Sequence, residues 1–314
     1  MRTRLLGIRI SCAALALCAS LLPAARAEAQ GDGPHNLPLI PIGTNIFTPQ
    51  VLVLSGNFNP QGTVLVPGAE IDVIAAPITY IRTFGLGSRF GRLFLVAPIS
   101  SVEASVAVLD PVAGRLRTPE RQRTGFMDPM VTMHIGLVGA PALKPAEFMK
   151  HARSFQMLAI VGTSIPVGTY DSDRLINLGT NRWSFRTGLG TVFPMGKRTA
   201  LEMSNNLYFF TTNTDVTGPS DERSQAPLYV LENHLTHNFT PKVWGSLEAR
   251  YQYGGTTTTD DRDDDNLTNA LGGGASLGYQ FTPHFGSWVS YGQVLAKKGD
   301  AEQTMFRFQI AYSF

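Results

Sequence analysis

The chain has 314 residues, with 26 Lys and Arg against 24 Asp and Glu, and only 16% of it is charged. Near-neutrality without a basic stripe argues against nucleic acid as a partner. Both cysteines, Cys12 and Cys18, fall in the opening segment, which leaves the rest without a disulfide framework or thiolate metal chemistry.

That opening segment reads as an export signal. Arg2, Arg4 and Arg9 supply positive charge. Ser11 to Leu22 is an apolar run of signal-core length, too short to span a bilayer as a helix. Ala25-Arg26-Ala27 and Ala27-Glu28-Ala29 are both small-x-small cleavage sites, so 1–27 is expected to be a signal peptide and the mature chain to start at Glu28 or Gln30. Leu17 is too bulky for Cys18 to make a lipoprotein site. Taking Arg2, Arg4, Arg9 and Arg26 from the 26 basic residues leaves 22 against 24 acidic ones. Downstream, no apolar run approaches the ~20 residues of a transmembrane helix.

Residues 28–45, rich in Pro and Gly, are expected to form an extended periplasmic arm. From 46 to 314, short alternating segments recur between turn signals. The expected strands are Thr48–Ser55, Ile71–Phe84, Arg89–Ser100, Phe126–Leu137, Ser154–Pro166, Arg182–Phe193, Thr199–Phe210, Leu228–Phe239, Val243–Tyr253, Thr268–Phe281, Phe285–Val294 and a closing strand, Phe306–Phe314. Val102 to Thr124 reads as a long, partly strand-like connection. In the closing strand, Phe306, Phe308, Ile310, Tyr312 and Phe314 share one face. Connections alternate long and short, except that Gly139–Arg153 is long where a short turn is expected. Pro145 to Lys150 within it suits a helical turn.

Together these features predict an all-β fold: a transmembrane antiparallel β-barrel of about twelve strands in the outer membrane, behind a signal peptide. Closure follows from the bilayer, where an unpaired sheet edge is not tolerated. One strand breaks the pattern. Tyr80, Arg82 and Phe84 share a face, so either Arg82 points inward beside aromatics or a bulge changes the phase.

Alternation places Arg182, Arg186, Glu232, His234, Glu248 and Arg250 in the lumen, with Arg82 and Arg92 as further candidates. Two readings stay open for them: a selectivity constriction, or a salt-bridged network filling the barrel. The acidic run Asp260–Asp265 offers carboxylates for a divalent cation but lacks the glycine and terminal glutamate of an EF-hand loop. A solvated acidic loop is the plainer reading. His234 and His237 are three apart and so on opposite strand faces, against a paired metal site. No metal and no cofactor is expected. Serine and histidine positions such as Ser172, Ser204, Ser246 and His234 do not compose a hydrolase triad from sequence alone, and no enzyme is expected.

The stretch Pro166-Val167-Gly168-Thr169-Tyr170-Asp171-Ser172-Asp173-Arg174-Leu175-Ile176-Asn177-Leu178-Gly179-Thr180-Asn181-Arg182-Trp183-Ser184-Phe185 resembles the signature of a family of outer-membrane transporters. That family is labelled with the meta-pathway of phenol degradation. Phe126-Met127-Asp128-Pro129, Gly139-Ala140-Pro141-Ala142-Leu143 and Pro41-Ile42-Gly43-Thr44-Asn45 also resemble its pattern, and the similarity runs from about residue 40 to Phe314. The resemblance implies a porin-like barrel passing small aromatic or hydrophobic solutes, without established catalytic residues. Tyr170, Asp171, Asp173, Arg174, Asn177 and Asn181 would form an extracellular loop motif, read either as a structural clamp or as a solute contact. Expected partners are outer-membrane lipid and lipopolysaccharide, the barrel-assembly machinery through the closing strand, and a small-molecule solute. The alternative functions are a non-conducting structural or surface-interaction barrel and, third, a lipid-modifying enzyme.

Overall fold

The computed structural model describes residues 32–60, 63–106, 108–110, 115–117, 120–174, 176–217 and 220–314. Its staves are β1 (Asn45–Gly56), β2 (Ala69–Leu86), β3 (Arg89–Val106), β4 in two pieces (Glu120–Phe126 and Met130–Val138), β5 (Gln156–Ser164), β6 (Ser184–Met195), β7 (Thr199–Phe210), β8 (Leu228–Asn238), β9 (Val243–Gly254), β10 (Thr268–Thr282), β11 (Phe285–Lys297) and β12 (Gln303–Ser313). Each pairs antiparallel with its sequence neighbours, and β12 returns to β1, from Ile46 opposite Ser313 to Gly56 opposite Gln303. The sheet therefore closes as the expected twelve-stave barrel.

Short turns gather at one end. Gly87 (φ 61°) and Gly196 (φ 72°) open two of them in the left-handed conformation that a side chain disfavours. The exception foreseen from sequence, Gly139–Arg153, lies at this end too, within the connection 139–155, and carries a single helical turn, α1 (Pro145–Phe148). The Glu147 carboxylate caps that turn by accepting the Lys144 N–H at 2.8 Å. Ala142 N–H donates to Ser88 O at 2.8 Å, which ties the connection beneath the β2–β3 turn.

The fourth strand departs from expectation. It starts earlier, at Glu120, and breaks at 127–129. β3 carries both pieces: Ile99–Ser105 pairs the first, and Gly91–Val96 pairs the second. Pro98 and Pro129 explain the break, since neither offers an N–H to a ladder. β5 ends at Ser164, opposite Met130. Beyond that point the outer piece of β4 meets no strand on its second edge among the described residues. The chain after β5 lies there instead, with Thr169 N–H on Phe126 O at 2.7 Å.

Alternation sorts the side chains as membrane physics requires. Trp183, Phe185, Leu189 and Phe193 are exposed on the outside of β6, as are Leu277, Tyr279 and Phe281 on β10 and Phe306, Phe308 and Tyr312 on β12. Aromatics crowd the short-turn rim, where Tyr279 meets Phe281 with ring centroids 4.9 Å apart. Leu277 sits one outward position above that girdle, in the apolar band. Leu277→Arg is expected to cost about 2–4 kcal/mol if the site lies near the bilayer midplane and less toward the interface. The check is the urea midpoint of the barrel refolded into vesicles.

Arg82 is the one predicted lumen residue that faces out. The β2–β3 register runs unbroken from Ala69 to Leu86, so no bulge resets the phase. Arg82 is exposed between Tyr80 and Phe84 at the rim. Its Nη1 donates to Gly43 O at 3.0 Å and Asn45 Oδ1 at 2.8 Å. A long cationic side chain at that level carries its charge to the interface while its stem lies along lipid.

Residues 32–44, expected as a periplasmic arm, lie inside the barrel. The arm enters at the short-turn rim, where Gly43 N–H donates to Thr83 O and Thr83 N–H to Thr44 O, both at 3.0 Å. Leu37 and Leu39 then pack on Phe90, Leu158, Ile160, Val192 and Ala200. This apolar socket in the lower lumen would otherwise stand open to water. A second cluster, including Leu52, Val73, Val102, Met127, Leu178 and Met305, lies in the outer half.

Candidate functional site

The lumen is organised around the arm. The Arg92 guanidinium donates to the carbonyls of Asn36 and Pro38. Flanking it on the same face of β3 are Phe90 and Phe94, with ring centroids 5.1 and 5.8 Å from its Cζ. Gln156 Oε1 accepts Leu39 N–H at 3.2 Å, and Glu202 Oε1 accepts His35 N–H at 3.3 Å. At the tip, Arg186 takes both carboxylate oxygens of Asp32, Nη1 to Oδ1 at 3.0 Å, while its Nε donates to Asn206 Oδ1 at 2.9 Å. Asp32 N–H donates to Glu232 Oε2 at 3.1 Å. The arm's backbone polar groups thus find their partners on inward-facing side chains.

Below the arm tip four of the predicted residues, Glu232, His234, Glu248 and Arg250, form one network. Arg250 Nε lies 3.1 Å from Glu232 Oε1. His234 stands between Glu232 at 3.8 Å and Glu248 at 3.9 Å. Ser276 Oγ donates to Glu248. Little space remains here: the gap among Gly33, Glu232, His234, Glu248, Arg250 and Arg307 holds about 20 Å³.

Above the arm is a cavity of about 260 Å³, with Asp32 and Asn36 among its lining residues. Its two sides differ in chemistry. From β1 to β4 it is lined by Leu52, Pro77, Ile81, Phe94, Val96 and Met130, with the polar groups of Thr48, Gln50, Thr79, Thr132 and His134 among them. From β6 to β9 it is lined by Arg182, Arg186, Tyr208, Glu232 and Arg250. Arg182 lies over the Phe210 ring at 4.7 Å, and Arg186 is 5.7 Å from that of Tyr208.

Over the break in β4, residues 165–174 and 176–183 fold into a compact loop. Asp128 organises it, being 2% exposed. One carboxylate oxygen accepts Gly168 N–H at 2.9 Å. The other accepts Thr180 N–H at 2.8 Å and Thr180 Oγ1 at 2.7 Å. A Cβ on Gly168 would come within 2.8 Å of Asp128 N and Oδ1, and one on Gly179 within 3.0 Å of Oδ1, so both positions need the bare backbone.

Further out, Asp171 accepts Arg174 Nε at 2.9 Å and Asp173 N–H at 3.1 Å. Asn177 Oδ1 accepts Asp171 N–H at 2.9 Å, and its amide donates to the carbonyls of Asp171 and Arg174. Arg123 Nη1 donates to Asn177 Oδ1 at 2.6 Å. Asn181, at φ 51°, donates to Asn213 Oδ1 at 2.9 Å, and Tyr170 hydroxyl donates to Asp215 O.

A family model described as "Putative MetA-pathway of phenol degradation" matches residues 55–314. The chain belongs to this family. No curated protein sequence matches it. Among solved structures, it is similar to the COG4313 outer membrane channel from Pseudomonas putida F1, with a TM-score of 0.72 and 16% identity over 90% of this chain and all (100%) of that one. It is also similar to the translocator domain of the autotransporter NalP from Neisseria meningitidis, with a TM-score of 0.50 and 9% identity over 89% of this chain and 90% of the other. At such identities the likeness is one of fold.

The matched residues of the phenol-degradation family include the whole loop over β4. Four of the six motif residues, Asp171, Asp173, Arg174 and Asn177, bond to one another in this loop, while Tyr170 and Asn181 meet through Asn213. Of the eight lumen candidates, Arg92, Arg182, Arg186, Glu232, His234, Glu248 and Arg250 face inward. Several residues at the heart of the site were not singled out from sequence: Asp32, Asp128, His134, Glu202 and Arg307. For Arg307 the signal was present, because it alternates with Phe306 and Phe308 and so had to face inward. The acidic run ties two outer loops together. Asp260 accepts the N–H groups of Glu222 at 3.0 Å and Asp221 at 2.9 Å. These bonds, that of Glu222 foremost, hold its carboxyl below the usual carboxylate range.

Proposed function

We propose that the protein is an outer-membrane channel for small, partly apolar solutes, entered from the long-loop side and narrowed from below by its own N-terminal arm. The observation that carries this reading is the cavity of about 260 Å³ inside a closed barrel, with apolar groups set among neutral polar ones on its β1–β4 side, arginines on the other, and arm residues Asp32 and Asn36 in its lining. A lumen that served only to stiffen the barrel would gain nothing from such a cavity, since empty space costs packing energy. The fold it shares with a bacterial outer membrane channel is consistent with this role.

The runner-up is a barrel that does not conduct, and the packed network around Glu232, His234 and Arg250 favours it. Catalysis ranks third. Among the described residues no serine hydroxyl is hydrogen-bonded to a histidine ring, the first requirement for a hydrolase of the triad type.

Swelling of proteoliposomes in isotonic solutions of small solutes of graded size separates these readings. Swelling faster than in empty vesicles, confined to the smaller solutes, is the expected result. Rates equal to empty vesicles for every solute, with barrel insertion verified by heat-modifiable gel mobility, would remove the channel reading.

A further inference from the structure

Four arginines line the cavity: Arg182, Arg186, Arg250 and Arg307. Arg186 is paired with Asp32, and Arg250 with Glu232. Arg182 is different. It is 6% exposed, and its Nη2 donates to the neutral amide oxygen of Gln225. The orientation of that amide is fixed from behind, because Gln225 Nε2 donates to Thr63 O at 2.6 Å and Gly255 O at 2.9 Å. Among the described residues no carboxylate lies within 4.0 Å of the Arg182 guanidinium. Asp128, the acid on the same side of the cavity, already accepts three donors from Gly168 and Thr180.

A guanidinium has five N–H donors, and the described hydrogen bonds occupy one. A buried cation is costly without a counter-charge. The position of Arg182 over the Phe210 ring, 4.7 Å from the centroid, offsets part of that cost, and the residue lines the cavity. A guanidinium fork suits a carboxylate, which can accept two parallel N–H bonds. Across the cavity stand Leu52, Ile81, Val96 and Met130, interleaved with the neutral side chains of Thr48, Gln50, Thr79 and Thr132. A cavity of about 150 Å³ is enough to hold benzene, so this one admits a ring together with its acid group.

We propose that the cavity binds a small monocarboxylate with a flat apolar body, its carboxylate on Arg182 and its body along the β1–β4 side. This names the solute class for the channel reading and rests on it for physiological meaning, but the binding step stands on its own geometry.

The test is titration calorimetry on the full-length protein refolded in detergent micelles at neutral pH. Three probes are used: benzoate, benzyl alcohol as its neutral counterpart, and acetate as the anion without a body. Benzoate is expected to bind at least about tenfold more tightly than either. Arg182→Gln should abolish that preference while leaving benzyl alcohol binding intact, which also shows that the variant is folded. Arg182→Lys should restore part of it. Equal affinity for benzoate and benzyl alcohol, or an undiminished preference in Arg182→Gln, would overturn the proposal. Selective binding with no vesicle swelling supports the site and removes the channel. Swelling without selective binding does the reverse.

Discussion

A barrel refolded from Asn45 onward, without residues 32–44, is expected to conduct at least about tenfold more current per channel than the full chain, because the lumen's narrowest level is then gone. The arm is what fills that level. Leu37 and Leu39 occupy a socket made by Phe90, Leu158, Ile160, Val192 and Ala200. An added Cβ at Gly190 would meet Leu37 Cδ2 at 2.5 Å, a measure of how closely the arm lies on β6. Removing the arm also sacrifices about 1.5–3 kcal/mol for each buried leucine, so a lower thermal midpoint should accompany the gain in current. Leu37→Asp with Leu39→Asp keeps the chain length and should reproduce much of the effect, since two carboxylates will not stay in an apolar socket. Single-channel recording in planar bilayers is the measurement. Unchanged conductance in both variants would mean that the arm is not the narrowest point.

Asp128→Ala is expected to loosen the outer face of the barrel more than any other single carboxylate change, at a cost of about 2–4 kcal/mol. Three donors converge on that side chain, and the alanine leaves the N–H groups of Gly168 and Thr180 without an acceptor in a site that is 2% exposed, while the Thr180 hydroxyl keeps only Arg182 O at 3.2 Å. The loop it holds has no strand ladder to fall back on, because the second edge of β4 is met there by Thr169 and its neighbours instead of by β5. Arg174 in that loop is exposed, which makes it a protease reporter. Trypsin cleavage after Arg174 on intact cells should speed up about tenfold or more if opening precedes cleavage. Asp128→Asn, which keeps an acceptor, should fall between. Wild-type cleavage rates in Asp128→Ala would show that the loop is held by its outer network of Asp171, Arg174 and Asn177 alone.

Much of this barrel could be read from the chain because the bilayer enforces a simple rule. A stave such as β9, with Leu247 and Tyr251 on one face and Glu248 and Arg250 on the other, has only one sensible way round. Arg82 escaped the rule because it lies at the rim, where an outward charge reaches the interface and parity no longer separates lipid from lumen. The break in β4 was invisible as such, since Pro129 reads equally well as a strand end. The arm's position was hidden for a different reason. Residues 32–44 have no periodicity, and their partners, Arg186 for Asp32 and Gln156 for Leu39, are over a hundred residues away. Asp128 was likewise one acid between a methionine and a proline. Only the fold shows that Gly168 and Thr180 turn back to it. The family resemblance took in both the loop and, in the short stretch Phe126-Met127-Asp128-Pro129, the residue that holds it, but nothing in the sequence joined the two.

The placement of the arm also constrains how the molecule assembles. The seam between β1 and β12 joins residues as distant as Ile46 and Ser313, and loop-closure entropy makes so remote a ladder the most costly to form. The leucine socket, by contrast, lies on β3 and β5 to β7, across the barrel from that seam. It is complete while the sheet is still an open, curling ribbon. The arm can lie down on that concave face first and act as a mandrel, so that the sheet rolls up around its own N-terminal segment and no chain has to be threaded into a finished cylinder.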